Sequence, residues 1–182
     1  MTSNPTTVTA AFLYTVAVLV LGYTAFGFRT MLIFTSGFLG GFVLWLVFPI
    51  IPSFIAIRTP YFLALALFAL HRIEEFSMGF FERLAEITGI VTPEAASWQV
   101  ILLVLLSVGA WLLMPVLVSR GYSFGTYLAW TLFAAMGITE LAHFIVFPWF
   151  TPEPFAYFPG MATVVLLAPV AWWGMWRLSK GA

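Results

Sequence analysis

Six apolar runs, each near the length that crosses a bilayer, take up most of this 182-residue chain. They are Val8–Phe26, Met31–Ile51, Tyr61–Phe81, Trp98–Val118, Thr126–Phe147 and Phe155–Trp176. Inside hydrocarbon every backbone N–H and C=O must find its partner in a helix or a closed barrel. Runs of about 20 residues fit helices, whereas barrel strands need only about 10. The expected fold is therefore all-α, a polytopic membrane helix bundle of about six transmembrane helices. With 63% hydrophobic and 8% charged residues, little is left to build a soluble domain beside it. The connections read as short. Gly27-Phe28-Arg29-Thr30 joins the first two spans, Pro49 and Pro52 end the second, and Thr59-Pro60 offers an N-cap and first-turn proline for the third. Residues 1–57 are expected to form an N-terminal helix pair and 58–182 a four-helix core, within one integral membrane domain.

Several function classes fall away on composition. Seven basic and seven acidic residues balance, all the acids are Glu, and no basic patch exists to neutralise nucleic-acid phosphates. Cysteine is absent, which removes disulfides and thiolate ligands together. The start, MTSNPTTVTA, lacks the positive region of a secretory signal peptide, so the first run is expected to be a retained span. No span repeats the pattern of another, and an inverted-repeat transporter gains no support. Six spans with an inner N-terminus collect Arg58, Arg120, Arg177 and Lys180 on one side and leave Arg29 and Arg83 on the other. The bias of short loops then places both termini in the cytoplasm and the protein in a cell (inner) membrane. Most of the eight tryptophans are expected to anchor span ends, with one or two lining a pocket.

Ionisable residues within membrane spans are costly and mark function. His71-Arg72-Ile73-Glu74-Glu75 lies late in the third run, and Glu140-Leu141-Ala142-His143 lies late in the fifth. These are the two histidines of the chain. On a helix, residues three and four apart share a face, so His71 projects with Glu74 and Glu75, and Glu140 with His143. Both clusters lie about 20 Å along spans that run in the same direction, and hence in one leaflet. Facing one another, His71, Glu74, Glu75, Glu140 and His143 form a candidate set of nitrogen and oxygen ligands for a divalent metal: Zn, Fe or Mn. Di-iron carboxylate bundles use Glu-x-x-His pairs of the Glu140–His143 kind. Glu75 and Glu74 are the candidate catalytic carboxylates. Glu82 and Glu86, further on, read as part of an interfacial helix or as a continuation of the His71–Glu75 face at the site's entrance. Tyr157-Phe158-Pro159-Gly160-Met161-Ala162-Thr163 reads as a Pro-Gly turn shaping a lid, with Pro152, Glu153 and Pro154 in a structured surface loop before it.

The His71-x-x-Glu74-Glu75 run resembles the signature of the HXXEE family of small multi-pass membrane proteins. Glu140-x-x-His143 and Phe158-Pro159-Gly160-x-x-Thr163 are similar to its second recurring block, so the likeness spans about Tyr61 to Trp176. The family has no assigned reaction, and the resemblance implies the site residues without a substrate. Three functions stay open. The first is a metal-dependent enzyme, whether hydrolase, oxidase or isomerase, acting on a lipid or other apolar substrate. The second is a metal-free acid–base enzyme similar to the emopamil-binding sterol isomerases. The third is a proton- or cation-coupled transporter. In each the bilayer is the surrounding partner.

Overall fold

Proline and glycine decide where these apolar runs bend and stop. A computed structural model of the chain describes residues 4–50, 52–91, 94, 97–151 and 156–181. Their regular structure is helical throughout: α1 (Pro5–Val47), α2 (Phe54–Ser77), α3 (Phe80–Thr88), α4 (Trp98–Val104), α5 (Ala110–Ser119), α6 (Ser123–Gly137), α7 (Ala142–Ile145) and α8 (Met161–Lys180). A π-helical turn, Leu105–Gly109, fuses α4 to α5. Five segments are long and apolar enough to cross a membrane: α1, α2, Trp98–Ser119, Ser123–Trp149 and α8.

The first of these segments holds two of the six expected crossings. Gly27 interrupts α1 at φ 76° and ψ −179°, a conformation open to glycine and strained for other residues. Beyond it the chain doubles back. The Phe12 and Phe42 rings lie 6.1 Å apart, whereas about thirty residues of straight helix would separate them by about 45 Å. The arms 5–26 and 28–47 are thus antiparallel, and each matches the hydrocarbon thickness of about 30 Å.

The bundle is organised around α6, whose residues from Gly125 to Gly137 are all buried. Small residues bring the second arm of α1 against it. A Cβ on Gly41 would lie 2.6 Å from Thr131 Cα, and one on Gly37 2.8 Å from Ala135 Cα, so only glycine permits this approach. Trp45, Trp111 and Trp130 pack inside, while Trp98, Trp149, Trp172, Trp173 and Trp176 are exposed and suited to interface anchoring.

Helix ends differ from the sequence reading at three places. First, α2 starts at Phe54 after Ser53, not at Thr59-Pro60, because the break at Pro60 is mended from outside. Pro60 cannot donate to the Ala56 carbonyl, and Arg177 Nε of α8 does so at 3.0 Å. Likewise the Trp111 carbonyl, orphaned by Pro115, accepts the Tyr61 hydroxyl at 3.2 Å. Second, α2 stops at Ser77 and Gly79 turns the chain at φ 70° into the amphipathic α3. That helix buries Phe80 and Leu84 and exposes Glu82, Arg83 and Glu86, with Arg83 and Glu86 paired at 3.1 Å. Glu82 and Glu86 therefore do not continue the His71–Glu75 face, and the interfacial reading is the one that fits. Third, α6 ends at Gly137, where the Trp172 indole donates to the freed carbonyl at 2.6 Å. Thr139–Leu141, α7 and Phe147–Trp149 follow as short turns. Ile51, Phe155 and the loop of Pro152, Glu153 and Pro154 lie outside the described residues.

Candidate metal centre

The ends of α2 and α6 and the start of α8 meet at one end of the bundle, and the ionisable residues gather there. His71 and Glu75 are one turn apart on α2 and face inward. Glu140 and His143 enter from the short turns after Gly137. His71 Nε2 lies 3.3 Å from Glu75 Oε1 and 3.2 Å from Glu140 Oε2, while His143 Nε2 lies 3.3 Å from each of the same two oxygens. One ligand atom from each residue falls within 4.8 Å of all the others. Neighbouring ligands about 2.0–2.3 Å from one ion stand about 3.3 Å apart, as the four nitrogen–oxygen pairs do here, and the whole set of ligand atoms spans up to 4.8 Å. His71, Glu75 and His143 are buried, and the Glu140 side chain keeps 12% exposure.

Two sets of neighbours hold these ligands in place. Arg72 sits with Nη1 2.8 Å from Glu75 Oε2 and Nη2 3.2 Å from Glu140 Oε1. Its fork takes the outer oxygen of each carboxylate and turns the inner one toward the histidines. The guanidinium also lies 4.9 Å over the Phe68 ring. On the other side, Thr163 Oγ1 donates to Glu74 Oε2 at 2.5 Å, which frees its lone pairs for His71 Nδ1–H at 2.9 Å. This assignment leaves the His71 Nε2 lone pair pointing at two carboxylate oxygens. Three lone-pair-bearing atoms at such distances repel unless a cation lies among them, either a second proton on the ring or a metal ion. Glu75 Oε1 is buried and makes no hydrogen bond of acceptable geometry, although two imidazole nitrogens lie 3.3 Å away. An orphaned buried oxygen among nitrogen and oxygen donors is a group that a divalent ion could bind, and His71 Nε2 and Glu140 Oε2 also stand at hydrogen-bonding distance, 3.2 Å.

Glu74, expected among the ligands and as a catalytic carboxylate, is not part of this group. Its side chain reaches the N-terminus of α8 instead. Glu74 Oε1 accepts from Gly160 N and Ala162 N at 3.1 Å and from the Tyr157 hydroxyl, and Oε2 accepts from Thr163 N at 2.9 Å as well as its hydroxyl. Helix N-termini favour such an anion, and five donors leave its lone pairs no room for a metal. Partial burial and the bond to Glu74 push the Tyr157 phenol above its ordinary value, so Tyr157 keeps its proton and donates. The turn before α8 also presses on the site. Gly160, at φ 100°, lies so close that a Cβ there would stand 2.6 Å from Cε1 of both histidines. The sequence offered Arg72 as a partner of Glu75 or Glu140, and it meets both, whereas Thr163 and Gly160 were not among the site residues expected from sequence. The Tyr157–Thr163 string was conspicuous, but only as a turn, because nothing local says which buried carboxylate its amides will meet.

A cavity of about 310 Å³ opens onto the cluster. Glu75, Glu140, His143 and Arg72 form its polar end, and Phe34, Phe38, Phe68 and Trp111 are among its apolar walls. Ser107 and Val108 of the π-helical turn also line it, as such turns often do at functional sites. The His143 ring also packs 5.2–5.9 Å from those of Phe80 and Phe147, which line the same cavity, and of Phe158. No protein-family model matches the chain, and no curated protein or solved structure matches it either.

Proposed function

We propose that this protein is an intramembrane metalloenzyme acting on a lipid or other apolar substrate. His71, Glu75, Glu140 and His143 hold one divalent ion, Zn, Fe or Mn. The observation that carries this reading is the set of four nitrogen–oxygen edges of 3.2–3.3 Å around an orphaned Glu75 oxygen. When bound, such an ion supplies Lewis acidity and a water that ionises near neutral pH. The chain's own residues do the rest. Arg72 orients both carboxylates, Thr163 fixes the His71 tautomer, and the aromatic walls keep bulk water away. Glu75 and Glu140 line the cavity and are the groups placed to take a proton from whatever binds there. The order of His71-x-x-Glu74-Glu75 and Glu140-x-x-His143 in two membrane spans supports reading the chain as an HXXEE protein. The grouping of Arg58, Arg120, Arg177 and Lys180 supports cytoplasmic termini in a cell membrane.

A second reading is metal-free acid–base isomerisation, favoured by the two imidazoles and two carboxylates at the polar end of an aromatic-walled cavity. Elemental mass spectrometry on detergent-purified protein separates the two. The metalloenzyme reading expects near-stoichiometric metal in the wild type and little in His143→Ala. A wild type that takes up neither Zn, Fe nor Mn on reconstitution overturns it and leaves acid–base chemistry that survives chelators.

A further inference from the structure

Hydroxyl side chains in membrane helices usually donate to a carbonyl three or four residues back. Thr9, Thr15, Thr35 and Ser107 do so here, to Pro5, Ala11, Met31 and Leu103. Thr30 does not. Its fourth residue back is Phe26, on the far side of the Gly27 break, and its hydroxyl is buried without a partner. Thr30 is 8% exposed and lines the cavity over the metal cluster. It also lines a second cavity of about 470 Å³ on the other face of the same helix arm. The two share Thr30, Ile33, Thr139 and Phe147, so four side chains form the wall between them. Leu32, Ile145 and Phe150, exposed on the bundle's outer surface, line the second cavity and open it toward lipid. Arg29 lies at its edge, donating to the Ile87 carbonyl at 3.2 Å and pairing with no carboxylate among the described residues.

We infer that the two cavities receive one long-chain anionic amphiphile from the bilayer. Arg29 and the Thr30 hydroxyl hold its carboxylate or phosphate head, and its hydrocarbon chain passes Ile33 and Phe147 toward Glu75 and Glu140. A cation with no carboxylate partner beside an unpartnered buried hydroxyl suits an anionic head, and the apolar walls between them and the polar cluster suit a hydrocarbon chain. The reacting atom of such a ligand lies along its chain, away from the head. This deepens the metalloenzyme reading by naming its substrate class, while the binding itself does not depend on a metal.

The test uses palmitic acid carrying a photoreactive diazirine in its chain, with the matching alcohol as neutral control, on the full-length protein in nanodiscs. The acid is expected to label peptides containing Ile145 and Trp111, in competition with unlabelled acid. Arg29→Gln should lower that labelling about fivefold and leave the alcohol unchanged. Ile33→Trp, which fills the shared wall, should abolish labelling at Trp111 and spare Ile145. Equal labelling of Arg29→Gln and wild type, or labelling that unlabelled acid does not compete, overturns the inference. A phosphate-headed amphiphile that competes better than palmitate identifies the head group within the same class. Metal content measured on the same samples keeps the readings apart, since expected labelling without metal sinks the metalloenzyme and keeps the lipid site.

Discussion

At the scale of single residues the site turns on which hydrogen bonds are spoken for. Thr163 passes the Glu74 charge to His71 Nδ1, and outer partners of this kind are worth about 10–100-fold in metal affinity. Thr163→Val is expected to weaken metal binding by about that factor, and Thr163→Ser to restore most of it, in titrations against a chromophoric chelator. Equal affinity in Thr163→Val and wild type would mean that His71 needs no orienting partner. Adjacent glutamates should behave oppositely. Glu74→Gln removes the charge capping α8 and is expected to lower stability by about 2 kcal/mol while metal stoichiometry stays near one. Glu75→Gln is expected to lose the metal, and elemental analysis beside thermal melts tells the two apart. Of the five residues singled out from sequence, four lie together: His71 with Glu75 follows from helix periodicity, and Glu140 with His143 keeps its three-residue spacing across the short turns after α6. Glu74 was not separable from Glu75, because three and four residues from His71 are equally close to its face. What divides them is the start of α8, more than eighty residues further along the chain.

At the scale of elements, the lengths of the apolar runs announced the crossings, and Gly27-Phe28-Arg29-Thr30 announced the first hairpin. The central place of α6 was hidden. Every run is apolar on all sides, so no polar face marks which helix avoids lipid. Gly37-x-x-x-Gly41 was not singled out in the sequence, and only the structure shows it as the seam against α6. Prolines misled at Pro60, where local rules mark a helix start and a long-range bond from Arg177 lets the helix run through. The break after Gly137 is similar, since it depends on Trp172 reaching across from α8. The turn into α8 offers a sharp test. Gly160→Ala meets positive φ and two imidazoles at once, with no room to yield. It is expected to cost about 1–3 kcal/mol and to displace a histidine from the cluster. Loss of metal at a temperature where the variant is still folded, by circular dichroism, is the expected result. Full metal content in a folded Gly160→Ala would show that the turn does not brace the histidines.

For the whole molecule, the four ligands come from two stretches of chain about 65 residues apart, and their neighbours from a third. A metal ion bound as proposed would join the end of α2 to the turns after α6, while Glu74 and Thr163 tie α2 to α8. An ion bound only by the folded state adds stability that grows with its concentration over Kd, about 2.7 kcal/mol at a hundredfold excess. For a protein of this size that corresponds to about 5–10 °C in Tm. Chelation of the wild type in detergent is expected to lower Tm by that amount, and readdition of the ion to restore it. His143→Ala, which lacks one ligand, should melt near the chelated wild type and ignore the chelator. The comparison isolates the ion from any general effect of chelator on detergent-solubilised helices. If chelation strips bound metal from the wild type and Tm does not move, the ion is not what draws α2 and the turns after α6 together. The Arg72 fork across Glu75 and Glu140, beside the direct His71–Glu140 and His143–Glu75 contacts, would then hold them together, and Arg72→Met would be the variant that lowers Tm instead.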